Sequence, residues 1–193
     1  MKFLRIVRLD VSDEKTFPLA AEPDEWALTG TFAFADADPG ELSNKEQLAF
    51  RNGWLGADSF GRATFVLVAE ISDEQHESVV SRLAGHIFEH YGAPDMSAAA
   101  EAAPGEARYA AGLCDHPIGT MLGIEREFTD GGVTERIRVI PQQDEAMHAK
   151  SGRLWSMRTQ GNRKAGDPDR IRTCDLQIKN NKVYPDCFNK DDI

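Results

Sequence analysis

The chain of 193 residues lacks the features that place a sequence in a membrane, secreted or disulfide-rich class. No apolar run approaches the roughly 20 residues that a membrane-spanning helix needs. Charged residues interrupt residues 1–9, unlike the apolar centre of a secretory signal. The three cysteines, Cys114, Cys174 and Cys187, match neither a disulfide framework nor a Cys-x-x-Cys metal site. We therefore expect a cytoplasmic protein with no membrane partner.

Basic residues are scarce in the first 141 residues, which carry 12 Lys and Arg against 24 Asp and Glu. Residues 142–193 carry 10 basic and 8 acidic residues, so the acidic excess lies in the first part. Binding to nucleic acid draws mainly on Lys and Arg that displace counterions from phosphates. We expect no nucleic-acid partner. The interspersed acids also argue against a basic arm in residues 142–193.

Strand and helix patterns succeed one another in this acidic part. Alternating apolar residues predict five strands, at residues 3–9, 26–34, 63–71, 121–129 and 133–140. The last two flank Asp130-Gly131-Gly132, which is typical of a hairpin. On that hairpin, one face is expected to combine six apolar side chains: Leu122, Ile124, Phe128, Val133, Ile137 and Val139.

Helix start signals fall between these strands. Capping boxes at Ser43 and Ser72 predict two helices, and apolar residues from Val79 to Ile87 give the second helix a stripe that must pack on the sheet. Residues 95–113 predict weak, mobile helices broken at Pro104-Gly105. The order predicts a single α+β domain over residues 1–141, with an antiparallel or mixed sheet of about five strands and helices packed on one face.

After Pro141 the periodicity disappears, so residues 142–193 are expected to form a disordered tail. Residues 169–176 (Asp-Arg-Ile-Arg-Thr-Cys-Asp-Leu) resemble a peptide at the ends of many unrelated bacterial open reading frames that have run into a transfer RNA gene. One back-translation of residues 170–174 contains, on its complementary strand, GGTTCGAATCC, which is similar to a transfer RNA T-arm. The resemblance implies an aberrant read-through tail, and the downstream nucleotide sequence tests it.

Several short stretches of the first 141 residues follow the pattern of a known family. They are Met1-Lys2-Phe3-Leu4-Arg5, Ala21-Glu22-Pro23-Asp24-Glu25-Trp26-Ala27, Phe32-Ala33-Phe34-Ala35-Asp36, Gly56-Ala57-Asp58-Ser59-Phe60-Gly61 and Cys114-Asp115-His116-Pro117. Together they resemble a small bacterial family known only as a domain of unknown function. The resemblance implies a free-standing cytosolic protein with no assigned site residues. An association with redox-enzyme gene clusters makes an accessory factor of such an enzyme one alternative.

The sequence His86-Ile87-Phe88-Glu89-His90 matches the inverted zincin pattern H-x-x-E-H. On a helix, His86 and His90 would project from one side and could hold zinc, while Glu89 handles a water molecule. Another residue would have to supply the third ligand: Cys114, His116, Glu125 or Glu127. The alternative is that both histidines flank the apolar stripe of the helix. So short a pattern arises often by chance, and we expect no metal and no other cofactor.

Residues 53–61 form the most distinctive loop of the sequence. Three glycines allow turns or close backbone approach, and four side chains offer a ligand or partner surface: Trp54, Asp58, Ser59 and Phe60. The segment lacks the phosphate-loop sequence G-x-x-x-x-G-K-[ST]. The alternative is a tight connector in which Trp54, Leu55 and Phe60 fill the edge of the core.

No acid–base pair, nucleophile motif or cofactor fingerprint outweighs an ordinary structural explanation of its residues, so no catalytic residue is assigned. The expected function is a non-catalytic accessory or protein-interaction domain, with another protein as its partner. A small-molecule-binding domain that uses residues 53–61 is the first alternative. A metal-dependent hydrolase that uses His86, Glu89 and His90 is the second.

Overall fold

The computed structural model describes residues 1–130, 132–141, 170–179 and 182–186. Within the described part of residues 1–141, seven strands form a curled antiparallel sheet that is accompanied by four α-helices. The predicted α+β class and the antiparallel sheet are confirmed. The expected number of about five strands is too low, because the segment predicted as a glycine loop also contributes to the sheet.

The seven strands lie in the order β4-β3-β2-β1-β5-β6-β7. The central strand β1 pairs antiparallel with both β2 and β5. The two additional strands are β3, inside the predicted loop, and β4, which Thr64 separates from β5. The bounds are β1 Lys2–Val7, β2 Trp26–Leu28, β3 Trp54–Gly56, β4 Arg62–Ala63, β5 Phe65–Glu70, β6 Met121–Thr129 and β7 Gly132–Ile140.

Two further strands, β8 Arg170–Lys179 and β9 Lys182–Asp186, continue the sheet beyond β7. Strand β8 pairs antiparallel with β7 from Val133↔Cys174 to Ile137↔Arg170. Both strands fall in the segment for which the sequence predicts disorder. The disordered tail stays a prediction, since residues 142–169, 180–181 and 187–193 lie outside the described part, and the read-through origin concerns the gene.

The α-helices are α1 Ser12–Thr16, α2 Asn44–Asn52, α3 Asp73–His90 and α4 Met96–Gly112. Both predicted capping boxes are present: the Ser43 side chain accepts a hydrogen bond from the backbone N–H of Glu46, and Ser72 accepts one from Gln75. The predicted stripe of α3 is buried at Val79, Leu83, Ala84 and Ile87. No helix in the described part is both long and apolar enough to cross a membrane.

Helix α4 runs through Pro104-Gly105, where the sequence predicts a break. A proline in a helix interior removes a hydrogen bond and typically costs about 3 kcal/mol. Burial offsets this cost, because four alanines at helical spacing are fully withdrawn from solvent: Ala99, Ala103, Ala107 and Ala110. Their small side chains let α4 pack closely, and it contacts α3, β1 and β2. Tertiary packing therefore overrides the local break signal.

Strand β2 ends at Leu28, although alternation predicts that it continues to Phe34. The chain turns at Gly30, which has φ +69, and residues Thr31–Phe34 form a 3-10 helix. A side chain at Gly30 would place its Cβ 2.5 Å from Leu55 Cβ and 2.7 Å from Arg62 Nη1. Packing against β3 and Arg62 therefore requires a glycine here.

The β6–β7 hairpin has the predicted face. Its Cα partners include Leu122↔Val139, Ile124↔Ile137 and Phe128↔Val133. Between these apolar pairs lies Arg126↔Glu135 on the same face, and both side chains are buried. The inner face of the hairpin thus carries an ion pair among apolar residues.

Candidate functional site

A buried carboxylate, Glu25, holds the glycine-spaced loop of residues 53–61 in place. Its oxygens accept hydrogen bonds from the backbone N–H groups of Glu22 (2.6 Å), Asp58 (2.7 Å) and Ser59 (2.8 Å), and from the Ser59 hydroxyl (2.5 Å). Hydrogen bonds to an ionised acceptor are the strong ones. In the sequence, Glu25 stands out only as part of the family-like stretch from Ala21 to Ala27 and carries no signal of its own.

Phe60 adopts a backbone conformation that bulky residues avoid. In the described part, only Asp24 and Phe60 combine a side chain with positive φ, at +69 and +53. Such a conformation costs on the order of 1–3 kcal/mol and persists only where the surroundings enforce it. The enforcing contacts are those of Glu25 on one side and Gly61 on the other, where an added Cβ would overlap the Ala20 backbone. The fold thus holds Phe60 under strain.

The loop lies along one side of α3. Asp58 forms an ion pair with Arg82. The Phe60 ring stacks on the His86 ring, with centroids 3.6 Å apart and planes within 4° of parallel. The His90 ring lies 4.7 Å from that of His86. Arg82, His86 and His90 share a helix face because residues four apart project together. We call Asp58, Ser59, Phe60, His86 and His90 the loop–helix surface.

Two more rings extend this surface toward the sheet. Tyr91 meets His86 edge to face at 5.3 Å, and it meets Phe32 in the same way at 5.1 Å. Tyr91 and His90 are exposed, Phe60 and His86 are half-buried, and Phe32 is buried. The rings therefore run without interruption from solvent into the core.

Arg62 is a buried cation whose charge acts on two of these rings, Tyr91 and His86. Arg62 donates hydrogen bonds to the carbonyl oxygens of Gly30 and Gly53, each at 3.3 Å, and its guanidinium lies 4.9 Å from the centroid of the Phe34 ring. Burial, together with the nearby charge of Arg126, lowers the pKa of Arg62 to about 9. Among the side chains that the structure describes, no carboxylate lies within 4.0 Å of it.

The electrostatics of the rings reflect this cation. Burial, His90 and Arg62 together lower the pKa of His86 to about 4, so its imidazole is neutral at pH 7. Burial raises the pKa of Tyr91, while Arg62 opposes that rise. His86, the ring that stacks on Phe60, is therefore neutral at physiological pH, and the charge of Arg62 contributes to this.

Arg126 and Glu135 form a second, fully buried polar cluster. Arg126 Nε donates to Glu135 Oε1 at 2.8 Å, and the Tyr109 hydroxyl donates to Glu135 Oε2 at 2.9 Å. Arg126 also donates to Thr31 Oγ1 and to three backbone carbonyls: those of Thr29, Phe50 and Gly53. Each guanidinium nitrogen has a partner in the chain, which makes the cluster a structural support for residues 29–31 and the end of α2.

Glu106 lies one helical turn before Tyr109 on α4, beside this cluster. Burial and the negative charge of Glu135 raise the pKa of Glu106 to about 7, and Arg126 partly opposes the rise. Sequence patterns did not identify Glu106, Glu135 or Arg126 as candidate site residues. The available signal was the pair of charged residues, Arg126 and Glu135, at inward positions of otherwise apolar strands.

The structure brings together two sets of residues that the sequence analysis treated separately. Phe60 of the loop stacks on His86 of the zincin-like pattern, and the His86 ring in turn neighbours that of His90. Asp58 pairs with Arg82, one helical turn before His86. Trp54 does not join them. It is fully buried in the core, as in the connector alternative, and its Nε1 has no hydrogen-bond partner among the described residues. A binding role for the other three stays a prediction.

The zincin-like pattern is not completed by a third ligand within the described residues, where no three His, Cys, Asp or Glu side chains are grouped to hold a metal ion. Glu89 is exposed and lies 3.8 Å from His90 Nε2. Cys114 is buried, its thiol contacts the Ala110 carbonyl at 3.5 Å, and burial raises its pKa to about 12. The expectation of no cofactor stays a prediction.

Comparison with known proteins places the chain in a family without assigning an activity. The chain belongs to the family of unknown function DUF6505, which matches residues 1–153. No curated protein and no solved structure matches it.

Proposed function

We propose that this DUF6505 member is a non-catalytic accessory protein that binds another protein through the loop–helix surface. The observation that carries the proposal is the strained backbone of Phe60. Glycine would adopt the same conformation without strain, yet the chain has an aromatic side chain there and holds it half-exposed. Strained residues cluster at binding sites because their conformation is part of the mechanism.

The composition of the surface suits a protein partner. Aromatic and arginine side chains are enriched at the centres of protein–protein interfaces. The surface offers Phe60, His86 and the adjacent Tyr91, and the Asp58–Arg82 ion pair lies at its rim. The neutral imidazole of His86 also desolvates at less cost than a charged one.

The hydrogen bonds of the loop favour a protein over a small polar ligand. Loops that bind phosphate or carboxylate ligands do so with free backbone N–H groups. In this loop the N–H groups of Asp58 and Ser59 already bind Glu25, and that of Gly61 binds the Ser59 hydroxyl at 3.0 Å. The side chains, rather than the backbone, remain for recognition.

The test compares Phe60→Gly with the wild type and with Leu48→Ala, a control at an exposed apolar residue of α2. Proteins captured from the native cell extract are identified, and each candidate is purified and titrated by calorimetry. The wild type and L48A should bind one candidate equally, whereas F60G should bind it at least tenfold more weakly while retaining its circular dichroism spectrum. Equal affinity of F60G for every purified partner would refute the proposal.

The same protein preparation discriminates against the small-molecule alternative. Native mass spectrometry of the purified chain should show the bare polypeptide mass. A stoichiometric adduct that F60G loses and L48A keeps would instead assign the surface to a small molecule.

A further inference from the structure

Two cations and one ion-paired carboxylate occupy the region between β2, β3 and β6. Arg62 and Arg126 both donate to the Gly53 carbonyl, at 3.3 and 3.1 Å, so their guanidinium groups are neighbours. Glu135 pairs with Arg126 at 2.8 Å. Arg62 donates only to backbone carbonyls, and no described side chain supplies it with a counter-ion. Arg62 therefore has no directly paired counter-ion, and the pKa of about 7 leaves Glu106, beside the Arg126–Glu135 pair, half protonated at pH 7.

Carbonyl oxygens satisfy the N–H groups of Arg62, but they do not neutralise its charge. A buried charge without a counter-ion is unfavourable by several kcal/mol, which is why buried charges are nearly always paired. The neighbouring charge of Arg126 adds to this cost. An anion near Arg62 would reduce it, so the protein has a physical reason to bind one.

A chain of contacts links Arg62 to the rings that extend the loop–helix surface. The Arg62 guanidinium donates a hydrogen bond to the Gly30 carbonyl. Phe32 follows two residues later, and its ring packs edge to face on the Tyr91 ring. Tyr91 in turn meets His86. The Tyr91 side chain is 38% exposed, and His86 is half-buried. Tyr91 and His86 each carry a polar hydrogen that can be donated to an acceptor.

We propose that Tyr91 and His86 bind a single carboxylate presented by the protein partner. This inference rests on the proposed function and specifies the chemistry of the partner's contact. One cation without a directly paired counter-ion suits an anion of charge −1 better than a phosphate dianion. The acidic excess of residues 1–141 also repels multiply charged anions. The carboxylate belongs to an acidic side chain or to the chain terminus of the partner.

Acetate is the simplest probe of this site. In proton–nitrogen NMR spectra of the full chain, the His86 imidazole should shift saturably with sodium acetate at constant ionic strength, balanced by chloride. The pKa of His86 should rise, because a bound anion favours the protonated ring. His116, on the loop before β6, serves as an internal control and should not respond. Equal responses of His86 and His116, or tighter binding of phosphate than of acetate, would overturn the inference.

Variants and peptides locate the contact and its source. Tyr91→Phe should weaken acetate binding about threefold to tenfold and leave the fold unchanged, since only a hydroxyl is lost. Two blocked peptides should also bind, one carrying a single glutamate and one a free C-terminal carboxylate, and the tighter binder identifies the source. A Y91F variant that binds acetate with wild-type affinity would remove Tyr91 from the site.

The outcomes separate this inference from the proposed function. If F60G loses a purified protein partner while acetate leaves His86 unchanged, the partner surface stands and the carboxylate contact fails. If acetate binds as described and no purified protein does, the proposed function fails and the site takes a free carboxylate.

Discussion

Phe60 in the loop and His86 on α3 stack with ring centroids 3.6 Å apart and planes 4° from parallel. The two residues are separated by 26 positions and belong to two different sequence patterns. Their contact unites the glycine-spaced loop and the zincin-like helix in a single surface. One face of the His86 ring is therefore covered by Phe60, and the strained loop packs directly on α3.

Because the Phe60 backbone is strained, we expect glycine to be more stable than alanine at this position, the reverse of their order within a helix. Phe60→Ala loses the stacking and keeps the positive φ, so we expect Phe60→Gly to be more stable than Phe60→Ala by about 1–2 kcal/mol. The control is the exposed Phe88 within α3, where glycine should instead be about 1 kcal/mol less stable than alanine. Urea unfolding of the four variants measures both differences. The same order at both positions would contradict the strain at residue 60.

Glu25 predicts a large effect of a nearly isosteric change. In Glu25→Gln, the amide NH₂ cannot accept the hydrogen bonds that one carboxylate oxygen now accepts, so stability should fall by about 2–4 kcal/mol. Glu22→Gln, at a neighbouring exposed residue, is the control and should change stability by less than about 0.5 kcal/mol. Thermal unfolding, with amide exchange of Asp58 and Ser59, checks the result. Unchanged exchange in E25Q would refute the supporting role of Glu25.

Glu106 predicts a pH dependence that its glutamine variant lacks. Its folded pKa is raised from 4.5 to about 7, so the folded state favours the protonated carboxyl. Its stabilising contribution is full below pH 4.5 and is lost as the pH rises to about 7. His86, whose folded pKa is lowered to about 4, contributes the opposite slope below pH 6.5.

The difference between the wild type and Glu106→Gln isolates the glutamate, because His86 is common to both. The stability of E106Q relative to the wild type should rise between pH 4.5 and pH 7 and level off above. Glu101→Gln, at an exposed position of the same helix, should show no such rise. Urea unfolding across this pH range measures the differences, and parallel curves for wild type and E106Q would disprove the assignment.

The β6–β7 hairpin carries one buried ion pair, Arg126–Glu135, and one exposed ion pair, Arg138–Glu125, whose contributions to stability can be compared. Glu135→Gln leaves the buried Arg126 without its counter-ion, and we expect a loss of about 3–5 kcal/mol. Glu125→Gln breaks the 2.6 Å pair with Arg138, in which both side chains are 43% exposed, and should cost less than about 1 kcal/mol. Chemical denaturation gives both values. A cost below 1 kcal/mol for E135Q would mean that the buried pair is not needed.

The extent of the folding unit can be tested by truncation. A chain ending at Pro141 should retain the stability of the full chain, because the apolar periodicity of the sequence ends at that residue. A chain ending at Arg153, where the family match stops, is the control and should be equally stable. A lower melting temperature for the shorter chain alone would place structural residues between 142 and 153, and a lower one for both would assign stability to β8 and β9.

Much of the secondary structure follows from local signals. The capping boxes at Ser43 and Ser72 begin helices because the hydroxyl and the residue three positions later satisfy each other's backbone groups, whatever the rest of the chain does. The β6–β7 face follows from strict alternation, since a period of two fixes which side chains share a side. These signals act within a few residues.

Other elements depend on contacts far along the chain. Pro104 remains inside α4 because alanines bury that helix against α3 and the sheet. Strand β2 stops at Leu28 because Gly30 must accommodate Leu55 and Arg62. No local pattern contains these partners. Alternation therefore predicted a strand as far as Phe34, and Pro104-Gly105 predicted a helix break, and neither prediction matches the structure.

The candidate site divides in the same way. The sequence by itself determined the candidate residues: the glycine-spaced loop with Asp58, Ser59 and Phe60, and the pair His86 and His90. It could not place them together, bury Trp54, or identify Glu25 and Arg62. A carboxylate that binds a loop more than 30 residues away, and a cation buried without a counter-ion, are defined only by the groups around them. Long-range packing sets those surroundings, and only the tertiary structure contains it.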